Sequence, residues 1–269
     1  MIRLAANLSF LFTELPFLDR FEAAARAGFG GVEFAFAYDV PTREISSRLL
    51  DNNLVLVLLN TPPGDLSAGE LGLAILPGRQ KDVDAAFDRA MEYAHALNVP
   101  LIHFLAGKSP PGYECEELDA LYVENLARAA DLAAQSGQAL TIEPLNERDR
   151  PGYHIRTNAH ARRLIEAAGR SNVKLQLDLY HCQVTEGDLI RTIEHNIGLI
   201  GHVQIASVPE RNEPTRGEIA YINVLSHLDR LGYNGYVGCE YYPAIDTLSS
   251  LAWATPYLDA TGQSKAANL

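Results

Sequence analysis

Short apolar runs alternate with longer amphipathic segments along the chain, with a repeat of roughly 25–40 residues. The apolar runs have the length of strands, at residues 4–8, 31–34, 54–60, 101–105, 139–143, 173–178, 200–205 and 235–240. A segment with helical spacing follows each run, at residues 16–27, 42–52, 80–97, 116–136, 158–168, 188–197, 221–231 and 248–258. Gly28 and Gly137 are placed to end two of these helices, and Thr42 is placed to cap another.

Eight strand–helix units in succession predict an α/β fold, a single (β/α)8 TIM barrel with its active face at the carboxyl ends of the strands. The barrel is predicted to span residues 1–259, followed by a flexible tail at residues 260–269. A doubly wound open sheet is the alternative. No G-x-G-x-x-G or G-x-x-x-x-G-K-S/T pattern follows a predicted strand, so the usual nucleotide-binding signature of that alternative is absent.

Three predicted connections are longer than a barrel needs, at residues 61–79, 144–157 and 206–220. All three follow strands, so we expect them on the same face of the barrel. Loops of this length in compact domains are usually lids or binding loops. The sequence therefore predicts a covered site at the carboxyl ends of the strands.

Polar side chains close four successive predicted strands, and they are Glu143, Asp178, Gln204 and Glu240. Ionised carboxylates are rarely buried unless they are paired or bound to a metal. Parallel strands that converge at one end bring all four side chains together. An oxygen-rich cluster of this kind suits a hard divalent cation, and we predict Mg²⁺ or Mn²⁺.

The 269-residue chain carries 34 acidic and 22 basic residues, for a net charge of −12. This balance argues against a nucleic-acid surface, and it means that an anionic substrate needs a local cation. No apolar run is long enough to cross a membrane, and the first residues lack a signal-peptide pattern. The three cysteines form no C-x-x-C pair, which is consistent with a reducing compartment. We predict a cytoplasmic protein with a small-molecule substrate and neither a nucleic-acid nor a membrane partner.

Nine short motifs between residues 3 and 258 resemble the hydroxypyruvate isomerase family of xylose isomerase-like barrels. They are Ala-Asn-Leu-Ser-Phe-Leu-Phe-Thr-Glu (6–14), Gly-Val-Glu-Phe (31–34), Pro-Gly-Asp-Leu-Ser-Ala-Gly-Glu (63–70), Leu-Pro-Gly-Arg (76–79), Ala-Gly-Lys-Ser-Pro (106–110), Ile-Glu-Pro-Leu-Asn (142–146), Asp-Leu-Tyr-His (178–181), Gly-His-Val-Gln-Ile-Ala (201–206) and Gly-Cys-Glu-Tyr (238–241). The chain departs from the family at residues 35–38 and 59–66, on the predicted pocket walls.

The resemblance implies roles for individual residues. It implies that the four strand-end residues bind the metal, that Glu143 and Glu240 exchange the substrate proton, and that His181 and Arg211 hold substrate oxygens. It also implies a homo-oligomer, a dimer or a tetramer. We add four candidate substrate contacts near the strand ends, Glu33, Asn60, Lys108 and Asp149, and we expect His103 inside the barrel.

The predicted reaction is an aldose–ketose type isomerisation between hydroxypyruvate and tartronate semialdehyde, or of a four-carbon 2-oxo acid. Two carboxylates act as base and acid, and the dication stabilises the enediolate. A sugar isomerase or ketose 3-epimerase that uses the same metal and glutamates is the alternative. Lys108 and Arg211 favour an acidic substrate over a neutral ketose. A nuclease would need a histidine-rich multi-metal site and a basic track, and neither is indicated.

Overall fold

The eight predicted strands pair in parallel, in chain order, and close into a barrel. A computed structural model describes residues 2–258, so the predicted tail at residues 260–269 lies outside the described residues. The strands are β1 (Arg3–Asn7), β2 (Gly31–Phe34), β3 (Val55–Asn60), β4 (Leu101–His103), β5 (Ala139–Ile142), β6 (Val173–Asp178), β7 (Ile200–Ile205) and β8 (Tyr236–Cys239). Closure comes from pairing of β1 with β8, with Leu4 opposite Val237. The (β/α)8 barrel prediction is confirmed, and the open sheet is excluded.

Helices follow the strands on the outside of the barrel. They are α1 (Arg20–Arg26), α2 (Thr42–Asp51), α3 (Gln80–Ala96), α4 (Cys115–Ala134), α5 (Asn158–Ala168), α6 (Leu179–Thr185), α7 (Leu189–Asn196), α8 (Tyr221–Arg230) and α9 (Thr247–Ser250). Among residues 2–258, none of them is long and apolar enough to cross a membrane. Their buried faces and the outer faces of the strands form the main hydrophobic core.

One helix prediction was wrong, and one helix was not predicted. The predicted helix at residues 248–258 is only the four-residue α9 followed by a short 3-10 turn, Ala252–Ala254. Pro256 has no backbone N–H, so a helix that continued through it would lose the hydrogen bond to the Ala252 carbonyl. Helix α6 was not predicted, because its seven residues are too few to show a helical period.

The two glycines predicted to end helices are confirmed, and the predicted cap at Thr42 is wrong. Gly28 and Gly137 have the left-handed φ values of 95° and 79° that favour glycine after a helix. Thr42 is instead the first residue of α2, and Pro41 occupies the N-cap position without a side-chain hydrogen bond. Proline already lacks the amide hydrogen and presets φ, so it starts the helix in place of a hydroxyl cap.

The barrel interior changes character along its axis. Ala5, Val57 and Leu58 form a small apolar cluster that is separate from the main core. A buried polar layer lies in the barrel as well, and it contains Glu33, His103, Thr141, Gln176, His202 and Gln204. His103 is therefore inside the barrel, as expected. This polar layer lies next to the strand ends and connects to the side chains there by hydrogen bonds.

Candidate active site

Three side chains converge at the carboxyl ends of β5 and β6. Glu143 directly follows β5, Asp178 is the last residue of β6, and His181 lies on α6. One ligand atom from each of these residues lies within 4.8 Å of the other two. Asp178 also starts α6, because its Oδ1 accepts a hydrogen bond of 2.8 Å from the amide of Tyr180. The helix that the sequence did not reveal thus carries His181 to the strand ends.

Two carboxylate oxygens in this cluster have no hydrogen-bond partner among the described residues, Glu143 Oε1 and Asp178 Oδ2. Both carboxylates are buried, and unsatisfied buried carboxylates are costly. Oxygen ligands of this type suit Mg²⁺ or Mn²⁺. The residues therefore fit the divalent ion that the sequence predicts.

Arg211 joins the cluster to Glu240, which directly follows β8. Its Nη2 lies 3.5 Å from Asp178 Oδ2 and 3.5 Å from Glu240 Oε1. The guanidinium packs between the rings of Phe10 and Tyr180, at 5.1 and 4.8 Å from their centroids. Arg211 is thus held by stacking and by charge, with Nη2 within 3.5 Å of both carboxylates.

Burial and mutual repulsion disturb the ionisation of the cluster. Burial raises the pKa of Glu143 well above its usual range, and the charges of Glu240 and Asp178 raise it further. Burial also raises the pKa of Glu240 to about 8, against the opposing effect of Arg211. The pKa of Asp178 is raised by burial and partly restored by Arg211. Without a cation, the cluster is short of positive charge.

His181 is neutral in this environment, because burial and then Arg211 lower its pKa well below the usual range. Its Nδ1 accepts a hydrogen bond of 3.0 Å from the amide of Asn146. The proton of the neutral ring is therefore on Nε2, which lies 3.6 Å from Asp178 Oδ2. A protonated Nε2 donates to an oxygen and does not ligate a metal, which agrees with the predicted substrate contact.

Gln204 and Glu33 lie in the polar layer and connect to the cluster through a chain of hydrogen bonds. Gln204 Nε2 donates to Glu33 Oε1 at 2.8 Å, and its Oε1 accepts from Gln176 Nε2 at 2.7 Å. Gln176 Nε2 lies 3.0 Å from Glu143 Oε2. Glu33 also accepts from Asn7 at 2.9 Å and pairs with His202 at 2.6 Å. The predicted metal ligation by Gln204 and substrate contact by Glu33 stay predictions.

A cavity of about 360 Å³ lies at the loops after β5 and β7, lined in part by Arg148, Asp149, Arg150, Tyr180 and Arg211. Asp149 Oδ2 accepts a hydrogen bond of 2.7 Å from the Tyr180 hydroxyl and lies 3.7 Å from Arg211 Nη1. The cavity is lined by three arginines and by two carboxylates, Asp149 and Glu210, so its lining has a net charge of +1 although the chain is acidic overall. The sequence did not lead us to predict roles for Arg148 and Arg150. The feature that could have indicated them is the charged Arg148-Asp149-Arg150 run in a long loop after a strand.

Lys108 and Asn60 lie farther around the barrel. The backbone of Lys108 forms an isolated antiparallel β-bridge with that of Tyr153. The Lys108 Nζ lies 3.8 Å from the position that a Cβ on Gly69 would occupy. Asn60 ends β3, and its carbonyl accepts a hydrogen bond from the Tyr38 hydroxyl. Within residues 2–258, no hydrogen bond or ion pair described joins either side chain to Glu143 or Asp178. Their predicted contact with substrate stays a prediction.

A closed parallel barrel with a carboxylate cluster at the carboxyl ends of its strands has the architecture of a (β/α)8 barrel enzyme, whose active site lies at that face. The sequence pattern of the xylose isomerase-like TIM barrel family matches residues 21–257. The chain belongs to this family.

Two relatives match nearly the whole chain. A 2-oxo-tetronate isomerase of Cupriavidus necator is 46% identical, over 96% of this chain and 99% of its own. A hydroxypyruvate isomerase of Escherichia coli is 44% identical, over 96% of this chain and 100% of its own. These relationships confirm the predicted family resemblance and show that the chain is an isomerase.

A solved structure also matches closely. It is described as an AP endonuclease, family 2, from Brucella melitensis, and it superposes with a TM-score of 0.94 at 47% identity. The superposition covers 96% of this chain and 100% of that one. This likeness supports the barrel and its loops throughout the described residues.

Proposed function

We propose that the protein is a metal-dependent isomerase of a short 2-oxo acid, interconverting hydroxypyruvate and tartronate semialdehyde or acting on the four-carbon analogue. The proposal depends chiefly on Arg211, a buried arginine beside two carboxylates at the strand ends. The names of the two relatives support the substrate class. The cysteines described are unpaired, which supports a cytoplasmic location.

The metal in this proposal is Mg²⁺ or Mn²⁺, held by Glu143, Asp178, Gln204 and Glu240. Glu143 Oε1 has no hydrogen-bond partner among residues 2–258, and Asp178 Oδ2 has only longer contacts, with Arg211 Nη2 at 3.5 Å and His181 Nε2 at 3.6 Å. Both observations support the assignment. When bound, the ion supplies a Lewis acid for the oxygens of the substrate. Its charge also offsets the burial, and the repulsion between carboxylates, that raise the pKa values of the two glutamates.

Glu143 and Glu240 exchange the proton in this mechanism. Moving the carbonyl to the neighbouring carbon removes a proton from one carbon and delivers a proton to the other, through an enediolate. The hydroxyl proton passes from one substrate oxygen to the other in the same conversion, so the overall change is an isomerisation. The two carboxylates follow different strands, β5 and β8, and the charges of both act on Arg211, which supports a base and an acid in the same site. A carboxylate takes the proton as a base and returns it as an acid, so no net proton is consumed.

His181 and the arginines position the substrate. The Nε2–H of His181 donates to a substrate oxygen, and Arg211 binds the substrate carboxylate through charge-assisted hydrogen bonds. Asp149 contacts Arg211 and Tyr180, so it orients the guanidinium without needing to touch the substrate. Arg148 and Arg150 line the mouth and raise the local concentration of anions.

A substrate panel followed by proton NMR in D₂O tests the proposal. The panel contains hydroxypyruvate, a four-carbon 2-oxo acid, fructose and tagatose, each with Mg²⁺, Mn²⁺ or a chelator. We expect isomerisation of an acid, with solvent deuterium entering one carbon of the product only when metal is present. Turnover of the ketoses alone would favour an epimerase. A DNA duplex with an abasic site is the control for the nuclease description of the Brucella structure.

A further inference from the structure

A second group of metal-ligating side chains lies outside the candidate active site. Cys115 begins α4, Asp119 follows one turn later, His154 lies in the loop after β5, and His160 lies in the first turn of α5. One ligand atom from each of the four lies within 4.8 Å of the other three. The side chains thus come from three separate segments to one place.

Both imidazoles point at the same oxygen. Nε2 of His154 and Nε2 of His160 each lie 2.7 Å from Asp119 Oδ1. The side chain of His154 is 2% exposed and that of Asp119 is 25% exposed, so the group spans the interior and the surface. In a tetrahedral site with bonds of about 2.0–2.1 Å, these atoms are roughly 3.3 Å apart. Small side-chain movements convert one arrangement into the other.

The hydrogen bonds of His154 allow it to become a ligand. Without a metal, its Nε2–H donates to Asp119 Oδ1. Its Nδ1 lies 3.0 Å from Ser109 Oγ, and a hydroxyl can accept as well as donate. In the other neutral tautomer Nδ1–H donates to Ser109, and the lone pair of Nε2 is then available to a cation. Binding through Cys115 requires the thiolate, so the cation displaces the thiol proton.

We propose that Cys115, Asp119, His154 and His160 form a structural zinc site, separate from the Mg²⁺ or Mn²⁺ site at the strand ends. One thiolate, one carboxylate and two neutral imidazoles with Zn²⁺ have no net charge. Sulfur and imidazole ligands favour Zn²⁺ over the hard cations, and four protein ligands leave no open position for catalysis.

The site fastens the loop at residues 144–157 to the start of α4. The amide of His154 donates to the Gly107 carbonyl at 3.0 Å, and the backbone of Tyr153 forms a β-bridge with that of Lys108. The loop at residues 144–157 is therefore already bonded to the loop after β4. The same loop carries Arg148, Asp149 and Arg150 at the mouth. Zinc therefore stabilises the frame of the candidate active site without contacting it.

Cobalt spectroscopy separates the two metal sites. The full-length Asp178→Asn variant, stripped with a chelator, is titrated with Co²⁺ and then with Zn²⁺. We expect one equivalent of Co²⁺ to give a thiolate charge-transfer band and strong tetrahedral visible bands, which Zn²⁺ abolishes. An oxygen-rich site gives neither. Absence of the thiolate band, or weak octahedral bands alone, overturns the proposal.

Matched variants in the same background complete the test. Cys115→Ser and His160→Ala should lower the Zn²⁺ affinity by more than the ~10–100-fold that removing an outer-shell partner costs. Glu116→Gln changes a neighbouring charge but no ligand and should keep the affinity. Zn²⁺ should slow amide hydrogen exchange at residues 144–157 in the Asp178→Asn protein but not in the Cys115→Ser derivative. Equal Zn²⁺ affinity in all variants, or exchange unaffected by Zn²⁺, contradicts the assignment.

Discussion

Glu33 and Glu143 are both buried glutamates near the carboxyl ends of barrel strands, yet their hydrogen-bonding surroundings differ. Glu33 lies within β2 and accepts or shares hydrogen bonds with Asn7, His202 and Gln204. Glu143 follows β5 and leaves one carboxylate oxygen without a partner. Both are buried. The comparison teaches that burial alone does not mark a functional carboxylate, whereas unsatisfied hydrogen-bonding capacity does.

A second difference separates the two environments. Gly238 leaves room for Glu33, since a Cβ there would stand 2.4 Å from Glu33 Oε1. Glu143 is surrounded instead by other carboxylates and by Arg211, all of which shift its pKa. The surroundings of Glu33 stabilise one fixed arrangement, and those of Glu143 leave a charge to be balanced by a ligand.

Exchanging each glutamate for glutamine gives the largest expected contrast. Glu143→Gln and Glu240→Gln keep an oxygen ligand but remove the base, so kcat should fall by about 10²–10⁴-fold. Steady-state kinetics with the best acid of the panel measures the change, and isothermal titration with Mn²⁺ checks that metal is still bound. Near-normal kcat in either variant would show that this glutamate does not transfer the proton.

The metal-free protein should become less stable as pH rises. The pKa of Glu240 is raised from 4.5 to about 8, so the folded state holds this proton more tightly than the unfolded state. The resulting stability is complete below the unfolded pKa and is lost as pH rises through the folded pKa. Thermal unfolding with a chelator, from about pH 5 to about pH 8.5, measures it.

Added Mg²⁺ or Mn²⁺ should remove most of this pH dependence, because the cation stabilises the ionised carboxylates. The Glu240→Gln variant is the control and should show a flatter curve without metal. A stability that increases between these pH values in the metal-free protein would contradict the ionisation of the cluster described above.

Arg211→Ala tests whether the cation beside Glu240 binds the substrate. Loss of its charge-assisted hydrogen bonds should cost about 1.5–3 kcal/mol, roughly 10- to 150-fold in kcat/KM, mostly through KM. Arg211→Lys keeps the charge but not the fork and should recover only part of the loss. An effect on kcat with an unchanged KM would instead assign Arg211 to the chemical step.

Glu33→Gln should act on stability and leave the chemistry largely intact. Glutamine has the same shape as glutamate but replaces one acceptor oxygen by an NH₂ donor. Asn7, Gln204 and His202 all approach the carboxylate of Glu33, so at least one of these contacts would then join two donors. A cost of about 1–3 kcal/mol in the free energy of unfolding is expected. Urea denaturation measures it, and a loss of kcat as large as that of Glu143→Gln would erase the contrast between the two glutamates.

Lys108→Met has the smallest expected effect, and it compares the basic side chains Lys108 and Arg211. Lys108 lies beside Gly69, and no hydrogen bond or ion pair among the described residues joins it to Glu143 or Asp178, whereas Arg211 is buried beside Asp178 and Glu240. The loss in kcat/KM for hydroxypyruvate should be about 10-fold, at the low end for a charge-assisted contact. Metal binding and any turnover of neutral ketoses should not change. Equal losses on charged and neutral substrates would assign Lys108 a structural role.

The sequence by itself determined the barrel, because alternation of apolar runs and amphipathic segments is a local property that every strand repeats. It also placed Glu143, Asp178, Gln204 and Glu240 at strand ends, and the structure brings one ligand atom each of Glu143, Asp178 and His181 within 4.8 Å of one another. Local pattern failed where elements are short or depend on their surroundings, as at α6 and in the last predicted helix.

Only the tertiary structure decided which polar groups are satisfied. Glu33 meets His202 across 169 residues of sequence, and His154 meets Asp119 across 35. No local pattern encodes such meetings, because they follow from closure of the barrel and from the paths of its loops. The same closure left Glu143 Oε1 without a partner and brought Arg211 to Asp178, since a barrel concentrates all its strand ends at one mouth.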